Sequence, residues 1–152
     1  MEQNISISVL RAFPILNHCT DKELHWLKDQ LTVKNYFKGE CIYTEGDDGQ
    51  HVYFVSNGSV KLGMTSSCGK ILIKDIVHSN DIFGENIFTS VNSRKEFAEV
   101  MKSKVTVYIL KKENLQKLLL HNQDFANDLI KTRGPRIVDM VTRADSIKWQ
   151  KT

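Results

Sequence analysis

The stretch Tyr36–Glu85, YFKGECIYTEGDDGQHVYFVSNGSVKLGMTSSCGKILIKDIVHSNDIFGE, decides how the chain is read. It holds no proline, and glycines punctuate it at positions 39, 46, 49, 58, 63, 69 and 84. Between them lie short segments rich in β-branched and aromatic residues: Cys41–Thr44, His51–Ser56, Ser59–Met64 and Ile71–Val77. Val105–Leu110 adds another further on. Val52 and Phe54, then Val60 and Leu62 past a break, alternate with more polar neighbours. Many short strands at this spacing predict an all-β sandwich or barrel between about Val33 and Leu110. Asn57-Gly58 is the strongest local hairpin signal, because a type I′ turn needs positive φ at both central positions. Ser67-Cys68-Gly69 reads as a second hairpin turn. Tyr43, Phe54 and Phe83 are expected in the core, and Gly46 and Gly58 in turns of unusual φ.

Working outward, both flanks turn helical. Thr20-Asp21-Lys22-Glu23 is a capping box, with Thr20 set to cap a helix and Glu23 to reach back. Leu24, Leu27 and Leu31 follow at helical spacing, and Trp26 lies off that stripe. On the other side, Glu113, Leu115, Leu118 and Leu119 predict a short amphipathic helix. Phe125, Leu129 and Ile130 predict another, ending near Gly134, and Pro135 suits the first turn of a third. That last segment spaces Ile137, Met140, Ala144 and Ile147 as a heptad seam, widened by Val141. Such a stripe needs a cover, either the β-domain or a second copy of the chain.

Bulk properties remove several classes. With 152 residues the chain can bury a real core in one domain without disulfides. A net charge of +3 gives no nucleic-acid footprint. Cys19, Cys41 and Cys68 are few, odd in number and far apart, which argues for reduced thiols in a cytoplasmic protein. No secretory signal is visible, and no apolar run exceeds the length of Val107–Leu110, too short to cross a bilayer, so no membrane partner is expected. His18, His25, His51, His78 and His121 form no metal-ligand spacing, and no nucleophile elbow or P-loop appears. No enzyme activity, metal or resident cofactor is therefore expected.

The quoted run resembles the cyclic nucleotide-binding domain, and more narrowly the sensor half of the Crp/Fnr family of bacterial transcription regulators. Lys38-Gly39-Glu40, Glu45-Gly46-Asp47, Val52–Val55, Gly58-Ser59-Val60-Lys61, Gly69-Lys70 and Asp81–Glu85 carry the resemblance by their order and spacing. It implies a mainly β fold with flanking helices, a jelly-roll or double-stranded β-helix (a β-roll) followed by a long C-terminal dimerisation helix. The β-roll sensor would take residues 1–134 and the dimerisation helix 135–152. Ile137, Met140, Val141, Ala144 and Ile147 would form a homodimer interface. A helix-turn-helix DNA-binding domain, absent from this chain, would follow, so DNA would be a partner of the full-length protein. By the same resemblance, effector binding in the roll would reorient the long helices and reposition the DNA-binding heads.

In family members that bind cyclic nucleotide, a phosphate cassette follows Phe-Gly-Glu. Backbone N–H groups meet the phosphate, a Glu takes the ribose hydroxyl, and an Arg-Ser or Arg-Thr pair followed by Ala takes the phosphate charge. The resemblance therefore places ligand contacts at Phe83, Gly84, Glu85, Asn86, Arg94, Lys95, Glu96, Phe97 and Ala98. Gly84, Glu85 and Ala98 match the pattern, whereas Asn86 replaces an apolar residue and Glu96-Phe97 replaces the Arg-Ser pair. A carboxylate there opposes a phosphate by several kcal/mol in a partly desolvated site. An offset of one or two residues would instead bring in Lys95 or Arg94. The adenine-side Thr-Ser pair falls near Met140-Val141 and is also lost. The sequence thus predicts an effector-sensing and dimerisation module without standard cAMP binding, its effector unnamed. The alternatives are a true cyclic nucleotide site using Arg94 or Lys95 (a small anionic effector), and a stand-alone β-roll that binds a ligand or protein.

Overall fold

A computed structural model of the protein describes residues 5–84 and 93–132. Eight strands form two antiparallel four-stranded sheets. They are β1 (Thr32–Phe37), β2 (Cys41–Tyr43), β3 (His51–Asn57), β4 (Val60–Thr65), β5 (Ile71–Val77), β6 (Ile82–Phe83), β7 (Phe97–Val100) and β8 (Lys104–Lys111). One sheet runs β1-β8-β3-β6 and the other β2-β7-β4-β5. Successive strands mostly alternate between sheets, which is the winding of a jelly roll. The expected β-roll is present. The expected dimerisation helix, with Gly134, Pro135, Ile137, Met140, Val141, Ala144 and Ile147, lies outside the described residues, as do Glu85 and Asn86.

Two cores follow from strand parity. β3 is buried on both faces: Val52 and Phe54 point one way, Tyr53 and Val55 the other. Tyr53, Val55, Val60, Leu62, Phe83, Ala98, Val105 and Val107 fill the space between the sheets. Val52, Phe54, Ile82, Tyr108 and Leu110 pack with the helices on the other side. Those helices are α1 (Ile7–Arg11), a 3-10 turn (Pro14–Leu16), α2 (Asp21–Gln30), α3 (Lys112–His121) and α4 (Gln123–Thr132). The α2 cap forms as expected, with Glu23 N donating to Thr20 Oγ1 at 3.1 Å and Thr20 N to Glu23 Oε1 at 2.8 Å. Leu24, Leu27, Leu31, Leu115, Leu118, Phe125 and Leu129 are all buried.

One expectation fails. Asn57-Gly58 does not close a hairpin, because β3 pairs with β6 and β8 while β4 pairs with β5 and β7. The glycine is needed for a different reason. At φ +106° it carries the chain from one sheet to the other, and a Cβ would lie 2.4 Å from Val105 Cγ2 and 2.6 Å from the Lys104 carbonyl. The second turn does close a hairpin. Ser66 N donates to Lys70 O at 2.7 Å between β4 and β5. This hairpin lies at the edge of its sheet, and its outer half exposes Ile71 and Leu72 at 65% and 62%.

Candidate functional site

The site is built where three chain segments meet between the sheets: the turn after β2, the end of β6 and the approach to β7. The turn is closed by Thr44 N on Asp47 Oδ2 at 2.9 Å and by Asp47 N on Thr44 O at 3.1 Å. It then grips the approach to β7 through two backbone bonds. Gly46 N donates to Arg94 O at 2.8 Å, and Arg94 N donates to Asp47 O at 2.7 Å. Residues 94 to 96 then approach through a bend at Lys95 and Glu96, and β7 begins at Phe97.

Burial shows which of these residues enter the roll. Arg94, Glu96, Phe97 and Ala98 are buried, while Lys95 is exposed between the first two. Phe97 instead covers Gly63, where a Cβ would meet the Phe97 ring at 2.6 Å. An offset of two residues therefore keeps a cation on the inner side, and an offset of one does not.

Arg94 is 3% exposed. Its Nη1 donates to the Gly84 carbonyl at 2.9 Å and its Nη2 to the His51 carbonyl at 2.6 Å. Its guanidinium lies 4.1 Å from the centroid of the Tyr43 ring, a cation–π contact. Gly84 sits at φ +87°, and a Cβ there would approach Tyr53 Cδ1 at 3.0 Å and Arg94 Nη1 at 3.4 Å. Phe83 stacks on Tyr53 with centroids 5.0 Å apart and also faces Tyr43. Burial pushes the Tyr53 hydroxyl up, against the pull of Arg94.

Glu96 is 4% exposed. The Tyr43 hydroxyl donates to its Oε2 at 3.2 Å, and Lys74 Nζ lies 3.2 Å from its Oε1. A buried carboxylate is tolerable only with such partners. Lys74 arrives by a break in the β4–β5 ladder. Leu62 pairs with Asp75 and Gly63 with Ile73, so Lys74 is the extra residue of a bulge. Bulges re-aim a side chain, and this one brings an ammonium from the edge hairpin to the interior carboxylate.

Sequence reasoning did not find Lys74, because an isolated lysine in a strand carries no signal of where a bulge will turn it. Tyr43 was expected only as a core residue, yet it touches both buried charges. Cys68 was expected only as a reduced thiol. In the β4–β5 turn it lies 3.2 Å from Ser66 Oγ, and that hydrogen bond with the Lys70 backbone pulls its pKa down.

Residues 33–122 match the family described as the cyclic nucleotide-binding domain, and the chain belongs to that family. Its homologues include Crp/Fnr-type regulators. It is 25% identical over 118 residues to the global nitrogen regulator of Synechococcus elongatus, covering 77% of this chain and 53% of that one. It is 27% identical to the anaerobic regulatory protein of Bacillus subtilis (76% and 49%). It is 29% identical to a cAMP-dependent protein kinase regulatory subunit of Debaryomyces hansenii (83% and 26%). The chain thus spans about half the length of the bacterial regulators it matches. In fold it resembles the sensor domain of the transcriptional regulator DNR from Pseudomonas aeruginosa, with TM-score 0.76 at 15% identity over 89% of this chain and 90% of that one. The catabolite activator protein of Thermus thermophilus gives 0.69 at 21%, over 89% and 63%.

Proposed function

We propose that this chain is the effector-sensing domain of a Crp/Fnr-type transcription regulator whose pocket does not take cyclic nucleotide through the usual arginine. The carrying observation is Glu96. By the motif resemblance, counted back from Ala98, it falls at the position of the family's phosphate-binding arginine, and it is buried in contact with Lys74 and Tyr43. A phosphate brought to that position meets a carboxylate rather than a guanidinium. The homologous bacterial regulators support the assignment to transcription. In this reading the full protein is a cytoplasmic, non-enzymatic homodimer through Ile137, Met140, Val141, Ala144 and Ile147, and it reads DNA through a domain outside this chain. Effector binding biases one of two dimer arrangements.

Isothermal titration with cAMP and cGMP tests the site. The wild-type chain should give no binding heat at micromolar concentrations, and micromolar affinity would overturn the reading. A second reading rests on Arg94, which stands inside the roll against the Gly84 carbonyl and could meet a phosphate instead. Micromolar binding by the wild type, lost in Arg94→Lys while circular dichroism shows that variant folded, would establish it.

A further inference from the structure

The Lys74–Glu96 contact has the form of an anion site that already holds its anion. A carboxylate sits almost wholly out of solvent. One of its oxygens accepts from a phenol, and the other meets an ammonium. The ammonium is turned in by a one-residue bulge, and its own side chain is still 43% exposed. Phenol, ammonium and enclosure together are what a protein uses to bind a small oxyanion. Here the oxyanion is covalently part of the chain, and it comes from the position that the family fills with its phosphate-binding cation.

We propose that the Glu96 carboxylate is the built-in anion of this pocket. The unliganded wild-type chain therefore stands in an anion-occupied form, and removing the carboxylate creates a site for a free carboxylate or phosphate held by Lys74 and Tyr43. This rests on the reading above that Glu96 occupies the cation position. It adds that the charge was not merely lost there but exchanged: the cation now comes from β5 and the anion from the approach to β7. An effector for such a pocket carries no obligatory anionic group, since that place is taken.

The test is chemical rescue. Glu96→Ala is melted in sodium acetate and in sodium phosphate, against sodium chloride at equal ionic strength. Its melting temperature is expected to fall, then to rise by about 4 °C when acetate is roughly tenfold above its dissociation constant. Wild type and the double variant Lys74→Met/Glu96→Ala should show no difference between acetate and chloride. Glu96→Gln keeps the volume filled and should not respond. If Glu96→Ala does not fold alone, its refolding yield with acetate against chloride is the readout, and a rise supports the proposal. Equal responses in acetate and chloride overturn it, as does a response that survives loss of Lys74. These outcomes are separate from those of the titration with cyclic nucleotides. Micromolar cAMP binding by wild type defeats the reading of the site, whereas failed rescue without such binding defeats only the built-in anion.

Discussion

Replacing Arg94 by methionine should be among the most damaging single changes in the roll. The side chain is almost fully buried and donates to two carbonyls from different segments, Gly84 at the end of β6 and His51 at the start of β3. Each charge-assisted bond contributes about 1.5–3 kcal/mol. A desolvated stack on a tyrosine ring adds about 2 kcal/mol. Methionine fills most of the volume, so the loss is chiefly polar and the contributions are not additive. We expect a loss of about 4 kcal/mol, which for a chain of this length lowers the melting temperature by roughly 8–16 °C. Arg94→Lys keeps a charge but loses the planar fork and the flat stack, so about half of the loss should remain. Urea denaturation monitored by circular dichroism measures both variants. A loss under about 1 kcal/mol for Arg94→Met, or wild-type stability for Arg94→Lys, would refute the role of Arg94 as a clasp between β2, β3 and β6.

Gly58→Ala meets positive φ and a backbone contact at 2.6 Å together, so it should cost at least about 2 kcal/mol in denaturant melts. Thiol labelling should be ordered. Exposed Cys68, its pKa lowered, should react first and at lower pH than a free cysteine, and Cys41, raised by partial burial and Glu99, more slowly. Buried Cys19, pushed up to about 12, should react only on unfolding; mass spectrometry of iodoacetamide adducts reads all three. Burial, then Arg94 and Lys111, hold His51 below its ordinary value, with Glu113 opposing. The unfolded chain therefore takes up this proton first. The contribution of His51 is present above about pH 6.5 and is lost as pH falls through its folded value. His51→Gln should flatten the stability profile between about pH 7 and 5.

The β-roll was legible because glycine punctuation and β-branched segments repeat at a spacing that only a sheet architecture absorbs. The predicted segment Ile71–Val77 coincides with β5, and the Thr20 box and the leucine stripes place α2 and α3. The short strands β6 and β7 were not legible as strands. Each is pinned by neighbours distant in sequence, Tyr53 and Phe54 for β6 and Tyr43 and Leu62 for β7. Asn57-Gly58 misled because a glycine with positive φ serves a sheet-to-sheet crossing as well as a hairpin, and local sequence does not separate them. At the site, the substitution at Glu96 could be read directly, but its compensation could not. The approach to β7 is held at Arg94 by the backbone grip of Gly46 and Asp47, and Lys74 reaches Glu96 through the bulge.

The winding of the roll has a consequence for synthesis. Among the eight described strands, β4 and β5 alone are partners that are also neighbours in sequence. β1, by contrast, pairs only with β8, so Thr32 waits for Ile109. A chain leaving the ribosome can form that one hairpin early, while its first strand stays without a partner until nearly the whole roll has emerged. Topologies of this kind fold on slow timescales, since long loops must close before contacts reward them. The hairpin that carries Lys74 is thus ready before β7 brings Glu96 to meet it.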